Sequence, residues 1–405
     1  MKIKITIETL LIPILYLLVI SPFIYYLEAI QSLLMILAGI LLLCLAKFSD
    51  FKITLKNTPF IASFLILTFY YLFYFSTSTF KLIGESFLLF LAPLFSLYLY
   101  RIDLFIKNRK KIQLTYCISI SLLCFYFIIF YINDIPHHHF DWYLARYNLE
   151  FNCKIHGTYI CLWIAIAILF LVDYVADYKK HSNKLKICFA LMFISLLSGL
   201  IIYNSRNIIL GLFIVVLIHF AILKRQKIVI QAKVKLVVIL IILLVVILSQ
   251  RYMDAIHFLI YDSFTNSTRY ASWTCSIKLI KESHFLGMDY NLIQEKLDEC
   301  YQPFNSFELK KFRINSHNQY LDLLLKGGLL LFFTFIWSLF IKIKETLRQK
   351  QYLYFSITIL FTISFITENI LFRQYGIYIY FMCDVLLLGA IFRDKDHSIY
   401  KIEKS

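Results

Sequence analysis

Charged residues are scarce in this chain. Asp, Glu, Lys and Arg make up 16% of its 405 residues, whereas soluble domains carry about 25%. Hydrophobic residues make up 60% and aromatic residues 18%. This composition needs lipid around it, which excludes a string of soluble domains. Nucleotide-binding motifs are absent as well, because neither a P-loop nor a GxGxxG occurs. We therefore expect no ATP-driven mechanism.

Apolar runs of roughly 15 to 22 residues, the length that crosses a hydrocarbon core, recur from end to end. They predict an all-α polytopic membrane protein with about 12 transmembrane helices. The predicted spans are 9–27, 29–46, 58–76, 83–100, 114–132, 157–175, 187–203, 207–223, 236–250, 319–341, 352–370 and 375–392. The first lacks a small-residue cleavage site, so we interpret it as a retained anchor. No internal repeat divides the chain, and we expect one integral membrane domain over 1–405.

The net charge of +16 is explained by topology. With both termini in the cytoplasm, basic clusters such as "KNRKK" (107–111) and "KRQK" (224–227) fall in cytoplasmic loops, as the positive-inside rule requires. The positive charge then orients the protein and contacts membrane lipids, and we expect no nucleic-acid partner. This orientation leaves two long outer segments, 133–156 and 251–318.

The large outer loop, 251–318, carries helical periodicity. One apolar face of "RYASWTCSIKLI" comprises Tyr270, Trp273, Ile277 and Ile280. A second, in "MDAIHFLIYDSF", comprises Met253, Ile256, Ile260 and Phe264. Such helices either lie along the membrane surface or cap the bundle, and the pattern favours neither.

Few cysteines are placed for chemistry. The nine cysteines include no CxxC and no Cys/His zinc spacing, and we interpret "HHH" (137–139) as a solvated loop. Cys153, Cys275 and Cys300 fall in outer segments, where an oxidising compartment pairs thiols. We expect a Cys275–Cys300 disulfide. A bond from Cys153 to either partner, or three free thiols, are the alternatives.

Ionisable groups gather at the outer membrane level, where they are functional candidates. They are Arg206, Arg269, His317, Glu368 and Arg373. A single arginine at a helix end more often snorkels, but five such groups on one side indicate a site. The arginine fork fits phosphate oxygens, and a neutral histidine accepts a proton from an attacking hydroxyl. Together they predict glycosyl transfer from a lipid-linked pyrophosphate donor, with Arg373 among the donor-binding arginines. Asn318 and Glu368 are assigned supporting roles.

Three segments in order carry a family resemblance. They are "YNSRNIILGLF" (203–213), "TRYASWTCSIKLIKESHFLGMDY" (268–290) and "SHNQYLDLLLKGGLLLF" (316–332). The chain resembles the O-antigen ligase and polymerase superfamily of bacterial envelope glycosyltransferases over roughly residues 150–390. "KIHGTYICLW" (154–163) and "TENILFRQYGIYIYF" (367–381) are less specific parts of the likeness.

The resemblance implies a metal-independent, inverting glycosyltransferase of the GT-C type without a cofactor. It implies an undecaprenyl-pyrophosphate-linked glycan donor, a glycolipid or glycan acceptor, and a periplasmic active site in the bacterial inner membrane. By position, His317 matches the catalytic histidine, while Arg206 and Arg269 match pyrophosphate-binding arginines. Lys326 departs from relatives, which more often carry an acidic or neutral residue there, and is assigned no role.

Three functions compete on this sequence. The first is a ligase that moves a finished glycan onto lipid A-core or a similar acceptor, and the second is a polymerase of the same superfamily. The third is a lipid-linked glycan transporter. A transporter predicts polar groups at mid-membrane depth and inverted repeats. Here the charges gather at one face and no repeat is visible, so the transporter ranks last.

Overall fold

Helices form the regular structure of every region that is described. The computed structural model describes residues 7–24, 28–45, 58–76, 79–138, 142–175, 182–225, 268–304, 309 and 313–392. The main helices are α1 (Ile7–Ile20), α2 (Glu28–Leu45), α3 (Thr58–Phe73), α4 (Phe80–Leu99), α5 (Asp103–Asn133), α6 (Trp142–Cys153), α7 (Gly157–Val175), α8 (Asn183–Tyr203), α9 (Arg206–Arg225), α10 (Thr268–Glu282), α11 (Tyr290–Tyr301), α12 (Gln319–Arg348), α13 (Tyr352–Ser364) and α14 (Gln374–Leu387). Short helical turns occupy Ser21–Ile24, Ile135–His138 and Ile370–Phe372.

Most of these helices suit a membrane. Within the described residues, six are long and apolar enough to cross one, and five shorter helices are apolar too. The six and the five correspond to eleven of the twelve predicted spans. The remaining span, 236–250, and the predicted loop helix at 253–264 lie outside the described residues. The prediction of an all-α polytopic membrane protein is confirmed.

Helices α7 and α14 lie at the centre of the bundle. In the most apolar window of the α14 span, 94% of residues are buried, against 28% in α8, which faces outward. Hydrogen bonds from aromatic side chains to backbone carbonyls fix the central helices. The Trp163 indole donates to Tyr375 O at 3.2 Å, and the Tyr378 hydroxyl donates to Leu18 O at 2.8 Å. Buried polar groups need such partners, so these bonds set the register of α14 against α1 and α7.

Helix α12 is broken at Gly327 and Gly328. The break follows from Gly328, whose φ of 59° and ψ of −155° are open essentially to glycine alone. The turn between α10 and α11 docks at the break. Met288 N donates to Leu325 O at 2.8 Å, and Leu329 N donates to Phe285 O at 3.0 Å. The predicted span at 319–341 is therefore a bent helix, whose first segment belongs to the outer end of the bundle.

Helices α10 and α11 form a hairpin with its own small core. Cys275 and Cys300 are joined in a disulfide with their Cα atoms 5.8 Å apart, as predicted. Leu279 and Leu297 pack beside it, and Leu325 of α12 completes the same cluster. The outer loop is thus a packed extension of the bundle.

The apolar face predicted for α10 is only partly buried. Ile280 is buried together with Ala271, Ser272, Cys275, Ser276 and Leu279, whereas Ile277 is exposed and Tyr270 and Trp273 are half-buried. The small residues Ala271 and Cys275, at i, i+4 spacing, belong to the core that α10 shares with α11. Most of the predicted apolar face therefore remains available for lipid.

A buried polar cluster ties α12, α13 and α14 together far along α12 from the glycine break. Lys342 Nζ lies 2.6 Å from Oδ2 of Asp384 and 2.7 Å from the Tyr380 hydroxyl. The Tyr354 hydroxyl donates to Oδ1 of Asp384 at 2.6 Å. Each charge therefore has a partner, as buried charges require.

Candidate functional site

His317 stands in a constrained loop immediately before α12. Its φ is 45°, which is uncommon for a residue with a side chain. The loop is held by local bonds: His317 N donates to Oδ1 of Asn315 at 3.0 Å. Asn318 caps α12, with Oδ1 accepting from Tyr320 N and Leu321 N. Such caps satisfy the free N–H groups of the first turn. The predicted supporting residue Asn318 thus fixes the point at which the histidine leaves the helix.

The segment between α13 and α14 braces this loop from the other side. Gln319 N donates to Phe365 O at 2.8 Å, and Leu371 N donates to Oε1 of Gln319 at 2.8 Å. Nδ2 of Asn369 donates to the Ser316 hydroxyl at 3.1 Å. These buried bonds place Glu368 opposite His317.

Glu368 joins His317 to Arg269. Its Oε2 lies 3.4 Å from Nδ1 of His317, and its Oε1 lies 3.2 Å from Nη2 of Arg269. Burial alone would raise the pKa of the Glu368 carboxyl. The hydrogen bond from His317 and the nearby guanidinium of Arg269 help to outweigh burial, and the pKa of Glu368 is lowered below its ordinary value. The carboxylate is ionised, and the side chains of His317 and Arg269 remain 27% and 44% exposed.

Arg206 lies at the same end of the bundle. Asn204, in the left-handed conformation with φ 43°, ends α8, and Arg206 begins α9 two residues later. Gly211 of α9 contacts Leu360 and Ile363, near the end of α13, so the two helices run antiparallel. The start of α9, which carries Arg206, therefore lies near the end of α13 that Glu368 follows.

Arg373 is exposed at the start of α14, with its guanidinium carbon 5.8 Å from the centre of the Phe372 ring. The described contacts thus bring three of the predicted site residues, Arg269, His317 and Glu368, into direct contact. Arg206 and Arg373 lie at the same end of the bundle.

Residues 189–336 match the family model described as O-Antigen ligase. This match supports the resemblance to the O-antigen ligase and polymerase superfamily. No curated protein matches it. The matched segment includes Arg206, Arg269 and His317, and Glu368 lies beyond its end. The match and the apolar helices point to a multi-pass membrane enzyme of the glycosyltransferase type, and the family implies lipid-linked glycan and glycolipid substrates.

Sequence reasoning missed one wall of this candidate site. Arg146 and Glu150 of α6 form a hydrogen-bonded ion pair, and Oε1 of Glu150 also accepts from Gly157 N at 2.9 Å. This holds His156 at the start of α7, within electrostatic range of His317 and Glu368. The available signals were the i, i+4 spacing of Arg146 and Glu150 on a helix and a His-Gly pair opening a span.

Lys326 has a structural position that the sequence did not reveal. Its Nζ lies 2.6 Å from Oδ2 of Asp322 and 5.5 Å, 6.0 Å and 5.2 Å from the ring centres of Tyr71, Tyr290 and Phe372. The lysine is buried, and cation–π contacts strengthen when water is excluded. It therefore joins α3, α11 and the Ile370–Phe372 turn to the helix that begins at His317.

Metal ligands are not clustered in the part of the chain that the structure describes: there, no three His, Cys, Asp or Glu side chains are arranged to hold an ion. Of the "HHH" motif, His139 lies outside the described residues.

Proposed function

We propose that this protein is an O-antigen ligase-like glycosyltransferase. It moves a glycan from an undecaprenyl-pyrophosphate donor to a hydroxyl of lipid A-core or a similar glycolipid. The observation that supports this proposal is the placement of the ionised Glu368 between His317 and Arg269. One carboxylate thereby orients a candidate base and a candidate phosphate-binding group.

His317 is the general base in this mechanism. A proton on Nδ1 is shared with Glu368, which leaves Nε2 free to accept the proton of the acceptor hydroxyl. The acceptor oxygen then attacks the anomeric carbon, the bond from that carbon to the pyrophosphate oxygen breaks, and configuration inverts. Undecaprenyl pyrophosphate leaves with the electron pair. The strained φ of His317 supports the assignment, since strain in folded proteins clusters at active sites.

The arginines bind the leaving group. Arg269 engages Glu368 through Nη2, and its fork has further donors for a phosphate oxygen. Arg206 and Arg373 add charge at the same end of the bundle. A guanidinium stays ionised at every physiological pH, so the site stabilises the growing negative charge of the pyrophosphate without a metal ion or other cofactor.

The catalytic face lies in the periplasm of a bacterial inner-membrane protein with both termini in the cytoplasm. The chain forms one integral membrane domain, 1–405, with 251–318 as its large periplasmic loop. The Cys275–Cys300 disulfide supports this side of the membrane, because disulfides persist in oxidising compartments.

His317→Asn tests the proposal, because asparagine tolerates a positive φ but is no base. His284→Asn is the matched control, since His284 also has a positive φ, of 51°, and is exposed in the turn after α10. Loss of a general base lowers rates by about a hundred- to ten-thousand-fold. We expect His317→Asn to abolish complementation of a deletion strain and His284→Asn to restore it.

The surface glycan of the deletion strain separates ligase from polymerase. Lost ligation leaves full-length polymer on the lipid carrier, whereas lost polymerisation leaves single repeats. Single repeats would assign the chain to the polymerase branch, and normal transfer by well-expressed His317→Asn protein would overturn the catalytic assignment.

A further inference from the structure

His156 is held rigidly between the outer helix α6 and the membrane helix α7. Glu150 bonds the backbone N–H of the next residue, Gly157. A methyl group at Gly157 would lie 2.7 Å from Oε1 of Glu150 and 2.9 Å from Cδ1 of Tyr203. A side chain at Gly157 would displace Glu150 or Tyr203, so the connector that carries His156 is closely packed on two sides.

The ring of His156 has a defined orientation. Its Nδ1 accepts from Thr158 N at 3.4 Å, which caps the first turn of α7 and leaves the proton of a neutral ring on Nε2. The ring packs edge-on against Tyr159, with centroids 6.4 Å apart. The Tyr159 hydroxyl donates to Asn369 O, beside Glu368. The ring thus stands at the wall that carries the carboxylate of the site.

The surroundings of His156 keep its ring neutral. Although solvent reaches the ring, loss of hydration among the surrounding protein atoms lowers the pKa of His156. The carboxylates of Glu150 and Glu368 oppose this change, while Arg146 and His317 reinforce it. A cation at the N-terminus of α7 would also face the positive end of the helix dipole. A neutral ring adds no positive charge beside His317, whose basicity such a charge would lower.

We propose that His156 is a second substrate-contacting histidine, which donates a hydrogen bond through Nε2–H to an oxygen of the glycan or its pyrophosphate. This inference rests on the proposed function. The two histidines present opposite groups: His317 offers the lone pair of Nε2 to a proton, and His156 offers an N–H to an acceptor oxygen. Neutral histidine donors serve enzymes in this way when a helix N-terminus lowers their pKa.

Two substitutions at one position separate this role from a structural one. His156→Asn keeps an acceptor for Thr158 N and so keeps the helix cap, but it loses the distal donor. His156→Gln loses the cap acceptor and keeps an N–H near the position of Nε2. We expect His156→Asn to reduce glycosyl transfer by about ten- to a hundred-fold, as loss of a hydrogen bond to a charged or buried group does. We expect His156→Gln to retain transfer within about threefold of the wild type.

Transfer is measured with purified full-length protein, with His284→Asn as the matched control. The opposite order, an active Asn variant and an impaired Gln variant, would show that His156 only caps α7 and would overturn the proposal. Equal, near-wild-type activity of both variants would overturn it as well. An inactive wild-type protein would instead count against the proposed function, so the two failures are distinguishable.

Binding of undecaprenyl pyrophosphate identifies which oxygen His156 contacts, and it is measured as the shift in melting temperature of the purified protein. Weaker binding by His156→Asn assigns the bond to a phosphate oxygen. Unchanged binding together with reduced transfer assigns it to an oxygen of the glycan or its acceptor. Both results support the proposal.

Discussion

The break in α12 makes Gly328 the position where one methyl group has the largest predictable effect. In Gly328→Ala the new Cβ would lie 2.2 Å from Phe285 O, which is backbone and cannot rotate away. A residue with a side chain at φ 59° and ψ −155° also carries about 1–3 kcal/mol of strain. Relief of the contact and of the backbone strain requires the turn between α10 and α11 to move.

Movement of that turn breaks the Met288–Leu325 and Leu329–Phe285 backbone bonds, each contributing roughly 1 kcal/mol. Strain and broken bonds together give a loss of roughly 3–5 kcal/mol. We expect a fall in melting temperature of about 5 °C. Transfer should decrease too, because the first segment of α12 carries His317 at its start.

The assay is size-exclusion chromatography of detergent-purified protein after heating, with Gly84→Ala as the matched control. Gly84 is exposed on α4, and its added methyl would meet nothing within 4 Å. That substitution should be neutral or stabilise by about 0.4–1 kcal/mol. If Gly328→Ala had the same melting temperature as Gly84→Ala, the docked turn would contribute nothing to stability and the reasoning would fail.

Three further predictions concern the outer face. Arg206→Lys and Arg269→Lys should lose glycosyl transfer nearly as fully as the alanine variants, since lysine keeps the charge but lacks the paired donors of the guanidinium. Full activity of both lysine variants would indicate that these arginines only extend their charge to the membrane surface. The pKa of Glu368 is lower in the folded protein than in the unfolded chain. The ionised carboxylate therefore stabilises the fold fully above the unfolded pKa of about 4.3. This stabilisation is lost as the pH falls from there through the folded pKa. Acid should therefore lower the melting temperature of the wild type more than that of Glu368→Gln, and equal acid sensitivity would contradict this. Cys275→Ser opens a loop of 25 residues and should destabilise the protein by about 3 kcal/mol; thiol labelling of denatured, non-reduced wild type at Cys275 would show that no disulfide existed.

The length of the apolar runs and the side of the membrane on which each connecting segment lies made much of this architecture predictable. A span needs about 20 apolar residues, and residues that follow successive spans on one side of a membrane must meet at one face. For that reason Arg269, His317 and Glu368 could be grouped from sequence although they are far apart in the chain.

Features that depend on close approach were not predictable. A Gly-Gly pair in an apolar span is compatible with a packing surface or with a break, and only the turn docked against Gly327 and Gly328 decides between these. Periodicity did not identify the residues of α10 that face α11, because small residues such as Ala271 make that contact while Ile277 faces outward. His156 lies in "KIHGTYICLW", which was noted only as part of the family likeness, and hydropathy cannot show that Glu150 folds back to hold it.

The Lys342–Asp384 pair has a consequence for how the protein is made. The two residues are 42 positions apart and belong to different membrane helices. A buried charge without a partner is costly, so the Lys342 ammonium of α12 is fully compensated only after α14 has been synthesised and has packed against it. Synthesis of α14 thus completes the buried polar cluster, and a chain that stops before residue 384 leaves Lys342 without its carboxylate partner.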